Sequence, residues 1–439
     1  MDDRLREALT GLLDAIRTRR GAVRDAVAGA TALTLIAAPD DAEAVKRRKK
    51  KRRRRRNRRK RCRGGTTRCP LVGCVNLNTD PQNCGRCGRE CDAGEACRDG
   101  VCGCDVCDDE DACPFQSVQA AVDAATAGDT ITVCKGSFDG NVTIDKDLTL
   151  VGAGSDDTKL EGEDGGSVVT VADGVTATIQ GVSISGGTGS PNEGFLEGGG
   201  VFNRGTLTLV DAAVTNNQAE RGGGTLNFSE AELTLDNSVV ADNEAVSDAP
   251  GATFGGGILN LFGARLVVRN GSAIVDNRSL NSAGIHNNGI LEAFDSLVAN
   301  NDAEFDGAGI INDEGDITLN NTVVRDNEAA QGRGGGILNL GFDLRIESGS
   351  EISENKAGTN GGGIFNEPVG RVSIADSAIL DNEATADGGS IYNNGGQVTL
   401  TRTVVARNDA DFRGAGVFIS GVGGLEAGRL TLEATTIRD

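Results

Sequence analysis

Eight asparagines recur through the C-terminal half of the chain, at Asn203, Asn227, Asn260, Asn287, Asn312, Asn339, Asn366 and Asn393. A glycine-rich stretch and an apolar residue precede most of them, and the successive spacings are 24, 33, 27, 25, 27, 27 and 27 residues. A second asparagine follows each first one across a short β-branched segment, at Asn217, Asn243, Asn277, Asn301, Asn327, Asn355, Asn382 and Asn408. A period of about 20–50 residues marks a solenoid, propeller or repeat array, in which each unit buries its apolar face by stacking on the next.

One unit shows how. Gly361 to Asn366, Arg371 to Ile374 and Ser377 to Asn382 read as three short strands divided by turns, with apolar residues alternating inward. Stacking such coils at about 4.8 Å sets each residue over its counterpart. Residues 114–439 then make about 12 coils and roughly 60 Å of stack. A buried amide is costly unless paired, so both asparagine columns read as structural ladders, each side-chain NH2 donating to the carbonyl of the next coil or to a turn. Asparagine also tolerates left-handed turns. The composition agrees: 64 glycines, no Trp, one Tyr and 38% hydrophobic residues suit a thin stack better than a thick globule. Three breaks carry functional interest. They are the long turn AVSDAPGATF after Asn243, the lone His286, and a missing ladder asparagine at Ser420.

Upstream of the repeats, Phe115, Val118, Val122 and Ala125 share one helical face, and strands follow at Asp129–Val133, Val142–Ile144 and Leu148–Val151. The string FQSVQAAVDAATAGDTITVCKGSFDGNVTIDKDLTLVGAG resembles the start of the pectin-lyase-like superfamily. That resemblance implies an all-β, right-handed parallel β-helix over residues 114–439, whose N-terminal helix plugs the first coil and shields an open sheet edge. The GGGIxN…N units over residues 198–420 are similar to those of bacterial surface and polymorphic outer-membrane β-helix proteins.

The N-terminal quarter is different. Residues 46–63 hold 16 Lys/Arg and no acid; taking this run and the −2 of residues 1–45 from the net −20 leaves −34 from Gly64 onward. Residues 1–44 carry Arg19-Arg20, an apolar stretch from Ala26 to Ala38 and an Ala42-Glu43-Ala44 cleavage site, and resemble a twin-arginine export leader. The basic run, within residues 45–63, reads as a disordered linker after cleavage. No aromatic interrupts it to stack bases, so no specific nucleic-acid binding is expected. Residues 64–113 form a cysteine module. Cys69-x4-Cys74, VNLNTDPQNCGRCGREC through Cys91, and GEACRDGVCGC through Cys104 resemble the stigma-specific-protein-like module of exported proteins. Cys69, Cys74, Cys84, Cys87, Cys91, Cys97, Cys102 and Cys104 are therefore expected in disulfides, with a connectivity that sequence leaves open. Cys84-x2-Cys87 and Cys104-x2-Cys107 also have zinc-site spacing. No apolar run is long enough for a transmembrane helix.

Catalytic chemistry is hard to find. Asp211, Asp236, Asp295 and Asp376 fall in outward or turn positions, and no coil gathers acids with a base and an aromatic. Arg325, Arg345, Arg402 and Arg407 are the candidate lyase bases, with calcium held by carboxylates as the one cofactor such chemistry would bring. His286 occupies a position that is apolar or aromatic in the other coils, and reads as packing. No catalytic, cofactor-binding or metal-binding residue is assigned. The reading is a secreted, non-catalytic repeat protein offering an acidic surface to cell-envelope polymers or surface glycans; the alternative is a polysaccharide lyase or glycoside hydrolase.

Overall fold

The computed structural model describes residues 62–438 apart from 63–65, 70–71, 85, 89, 93–94, 99–100, 108–112, 163–164, 248–252 and 422–427. The expected export leader and almost all of the basic run lie outside the described residues. The chain divides into two compact units at Gly103/Cys104, earlier than the boundary expected after residue 113.

Among its described residues the first unit buries Val75 and three cysteines, Cys69, Cys84 and Cys97, as apolar side chains, and disulfides take the place of a core. Two antiparallel ribbons, Thr67–Cys69 with Gly73–Val75 and Ala96–Arg98 with Val101–Gly103, are tied by Cys62–Cys74, Cys69–Cys87, Cys84–Cys97 and Cys91–Cys102. The second unit contains the other two bridges, Cys104–Cys134 and Cys107–Cys113, so all twelve cysteines are paired, not only the eight singled out above.

From Cys104 the chain is a parallel β-solenoid. Apart from one antiparallel hairpin, Ser190–Asn192 with Phe195–Glu197, its strands form four sheets, of 11, 12, 12 and eight strands, where the repeat had predicted three. Within one coil, sheet A takes Ile337–Asn339, sheet B Asp343–Glu347, sheet C Glu351–Ser353 and sheet D Lys356–Ala357. Each of these strands pairs in parallel with its counterpart in the next coil. Sheet D was missed because its strands are two residues long, yet a signal existed. Nearly every second-column asparagine opens an Asn-x-Ala triplet, as in Asn243-Glu244-Ala245 and Asn327-Glu328-Ala329. These alanines are buried, and a pinched corner admits only a small side chain.

The core repeats with the coils. Ile337, Leu344, Ile346 and Ile352 of one coil lie against Ile364, Val372, Ile374 and Ile379 of the next, in one continuous apolar column. Each such side chain gains roughly 1.5–3 kcal/mol from burial. The first coil is closed by helix α1 (Val118–Ala124), whose Val118, Ala121 and Val122 are buried and whose N-terminus is capped by Ser117 Oγ, accepting from Ala120 N at 3.1 Å. Val106 adds a further bridge to Val133, beside the buried Asp105 carboxylate, which accepts from Thr132 N and Oγ1 at 2.8 and 2.9 Å.

Two expectations need correction. Left-handed backbone is used not by the ladder asparagines but by the residue before each second-column member, such as Asn216, Asp242, Asn300 and Asp381, and by a second set at the B–C corner that includes Asp211, Asp295 and Asp376. The first ladder ends at Ile419, which pairs with Asn393; Ser420 pairs with Asn394. Gly414-Ala415-Gly416 repeats the corner Gly307-Ala308-Gly309, and counting from it puts Ile419, not Ser420, at the ladder position.

Candidate functional site on sheet A

The first asparagine column lies buried along the inner edge of sheet A. Asn203 Nδ2 donates to Asn227 Oδ1 at 2.8 Å, and the same bond continues through Asn260, Asn287, Asn312, Asn339, Asn366 and Asn393 at 2.8–3.0 Å. The second column, from Asn217 through Asn243, Asn277, Asn301, Asn327, Asn355, Asn382 and Asn408, runs likewise at 2.9–3.0 Å. Its oxygens also accept the preceding asparagine's backbone N–H, as Asn327 Oδ1 does from Asn301 N at 3.1 Å. Donors and acceptors are consumed inside the stack, which leaves these amides no capacity for an outside ligand.

The outer side of sheet A is where the chain concentrates its aromatics. Phe202, Leu226, Leu259, His286, Ile311, Leu338, Phe365, Tyr392 and Phe418 stand in register as one outward ridge. Most of the ridge is nevertheless buried, because the chain doubles back over it at a left-handed glycine. At Gly334 (φ +65°) a Cβ would meet Leu338 Cα and Cβ at 2.9 Å, so no larger residue fits without a shift. Arginines roof the rest. Arg204 lies 5.0 Å above Phe202 and 4.6 Å above Phe228, Arg333 lies 4.8 Å above Phe365, and Arg413 lies 4.5 Å above Phe418. Arg333 also binds Asp306 and Glu367 at 2.8 and 2.7 Å, and Arg413 binds Asp387 at 2.6 Å. Except for Phe115, Phe138 and Phe294, every phenylalanine of the chain lies on or beside this sheet. The expected shortage of stacking aromatics thus holds for the whole chain but not for this face. Phe262, Phe342 and Val369 stand exposed in the turns leaving sheet A, and Phe305 and Phe412 in the turns entering it. These exposed apolar side chains bracket the face on both sides.

His286 sits in the ridge, 6% exposed, with its ring 5.0 Å from that of Phe254 and Nε2 3.9 Å from an Asp313 carboxylate oxygen. Burial lowers its pKa to about 4, outweighing a hydrogen bond to Asn288 that favours the cation. The unfolded chain, with a pKa near 6.5, therefore takes up this proton first as the pH falls. Stability conferred by the neutral imidazole is complete above about pH 6.5 and is lost as the pH falls toward 4. Acidification from pH 7 to 4.5 is expected to destabilise the wild type by about 2–3 kcal/mol more than His286→Leu. Thermal unfolding of both proteins at the two pH values checks this; parallel losses would refute it.

The other candidates are dispersed. Arg325, Arg345, Arg402 and Arg407 pair with Asp326, Asp343, Asp376 and Asp381 respectively, on sheets B and C and their corners. Hydrogen bonding to Arg402 holds the Asp376 carboxyl below its usual range. The Glu354 pKa is raised instead, chiefly by a hydrogen bond that its protonated carboxyl donates to its coil neighbour Asp326, but this pair lies on the exposed C–D corner, away from the aromatics. The cysteines with zinc spacing belong to four different bridges: Cys84–Cys97, Cys69–Cys87, Cys104–Cys134 and Cys107–Cys113. Cys84, Cys91 and Cys102 approach one another within 4.8 Å, but a disulfide sulfur is not the thiolate that zinc requires.

No protein family, no curated protein and no solved structure matches the chain. The parallel solenoid and its disulfide-rich N-terminal region therefore define its class by architecture alone.

Proposed function

We propose that the protein is a secreted, non-catalytic interaction protein that engages cell-surface glycans or envelope polymers through the outer side of sheet A. The observation that carries this reading is the exposed phenylalanines on both rims of that sheet, since sugar rings stack on aromatic faces and the flanking Arg and Asp side chains offer planar hydrogen-bond partners. Six disulfides favour an oxidising compartment outside the cytosol, and no helix among the described residues is long and apolar enough to cross a membrane. The carboxylates nearest the aromatics are tied to arginines, which suits recognition better than proton transfer. Replacing Phe262, Phe342 and Phe412 together by alanine is expected to weaken adsorption to the recognised polymer at least ~10-fold while leaving the melting temperature unchanged. Adsorption that survives the triple substitution would move the interaction off this face.

A second reading, a carbohydrate-active enzyme of pectin-lyase-like type, draws on one observation: Arg333 with Asp306 and Glu367 beside Phe365. Turnover of a polysaccharide panel, with and without calcium, separates the two. Cleavage abolished by Arg333→Gln would establish the enzyme; its absence across the panel leaves the binding protein.

A further inference from the structure

One coil interrupts the outer side of sheet A. On either side of it the face is apolar, with Phe202, Leu226 and Leu259 packed in one cluster and Ile311, Leu338 and Phe365 in another. Between them the coil of His286 places polar side chains outward: Asn281 where the chain returns over the ridge, His286 in the ridge, and Asn288 beyond it. The same coil departs from the others at its corner. Eight other coils turn there at a glycine with φ between +61° and +71°, whereas Ser282 turns at +59°, a conformation costlier for serine than for glycine. At the next corner a Cβ on Gly307 would meet the side chain of Ile311, four residues on. The equivalent Ser282 side chain is therefore turned toward His286.

Both departures strand a polar atom. Ser282 is fully buried and His286 is 6% exposed, and neither Ser282 Oγ nor His286 Nδ1 has a hydrogen-bond partner among the described residues. Unpaired buried polar atoms are rare in folded proteins, and a pair of them in one coil calls for a partner from outside the chain. Nε2 faces Asp313 at 3.9 Å, the hydrogen bond to Asn288 falls to it, and burial keeps the ring neutral. Nδ1 is thus a bare acceptor beside a hydroxyl donor. The missing partner must donate to one and accept from the other. An ammonium only donates and a carboxylate only accepts, and a carboxylate would also be repelled by Asp313. A hydroxyl does both. Phe254, half-buried with its ring 5.0 Å from that of His286, offers a surface on which the apolar face of a sugar ring can stack. Resting on the glycan-binding reading of sheet A, we propose that this coil is its specificity site. It admits an uncharged sugar unit beside Phe254, and one hydroxyl of that unit bridges Ser282 Oγ and His286 Nδ1.

Affinity electrophoresis of the full chain in gels containing galactan, mannan or β-1,3-glucan, with polygalacturonate as the anionic counterpart, tests this. At least one neutral polymer is expected to retard the protein, and polygalacturonate is not. The acidic body repels a polyanion in any case, so the variants carry the test. Ser282→Gly and His286→Leu restore residue types found at these positions in other coils, so both should fold and melt above the wild type. Each should nevertheless bind the neutral polymer about 10-fold more weakly. A purely structural pair, or one bridged only by water, would raise the melting temperature and leave the affinity unchanged. Retardation that is lost on replacing Phe262, Phe342 and Phe412 but survives Ser282→Gly and His286→Leu would therefore overturn this inference and leave the sheet A reading standing. Equal or tighter retention by polygalacturonate would do the same. Retention by neither class of polymer would overturn both.

Discussion

Replacing Asn327 by aspartate is expected to destabilise the solenoid more than replacing it by alanine, although aspartate is nearly the same size. Asn327 Oδ1 accepts from Asn301 N and Nδ2 at 3.1 and 2.9 Å, and its Nδ2 donates to Val298 O and Asn355 Oδ1 at 3.2 and 2.9 Å. Alanine removes the acceptor and both donors at once, leaving buried polar groups of three neighbours short of a partner. At about 1–3 kcal/mol for each seriously unsatisfied group, the cost is on the order of 3–5 kcal/mol. Aspartate keeps the acceptor but loses the donors, and sets a negative charge against Val298 O and Asn355 Oδ1 in a site 1% exposed. Thermal unfolding of the two variants measures the order. An Asn327→Asp protein as stable as the wild type would mean that the ladder does not carry these bonds.

Reduction is expected to have the second large effect, and a local one. The four bridges of residues 62–103 close loops with sequence separations of 11 to 18, each of which stabilises by about 3 kcal/mol in the chain-entropy account. The two ribbons they join have three-residue strands, and among the described residues no extended apolar core lies behind them. Dithiothreitol should therefore unfold this unit, while the coils downstream of Cys134, which contain no cysteine, keep their β-structure. Limited proteolysis with far-UV circular dichroism shows both. New cleavage between residues 66 and 103 with an unchanged β signal is the expected result, and a reduced module that stays protected would contradict it.

Much of the fold was legible because its determinants are local and periodic. The glycine cluster, the apolar residue and the paired asparagines recur in the chain at the interval at which they recur in space, so a one-dimensional pattern reports a stacked one. Sheet D escaped because two-residue strands such as Glu328–Ala329 carry no alternation to detect, leaving only the Asn-x-Ala triplet. The face of sheet A escaped for a different reason. Phe202, Arg204 and Phe228 come together only when successive coils superpose, and Phe262 and Phe342 reach the same rim from turns separated by 80 residues. His286 was readable as a ridge residue from its place before Asn287. Its neutral state follows from burial by Phe254, which the insertion delivers from the preceding coil.

The sequence by itself determined a stacked β architecture, the two asparagine ladders and a separate cysteine-rich segment. Repetition and hydrogen-bond demand act on each unit in the same way wherever it sits. Only the tertiary structure decided the pairing of the twelve cysteines, the fourth sheet, and the gathering of sparse aromatics and arginines on one face. Those depend on which residues superpose once the coils are stacked, and a single inserted or missing residue shifts that superposition without changing the local pattern.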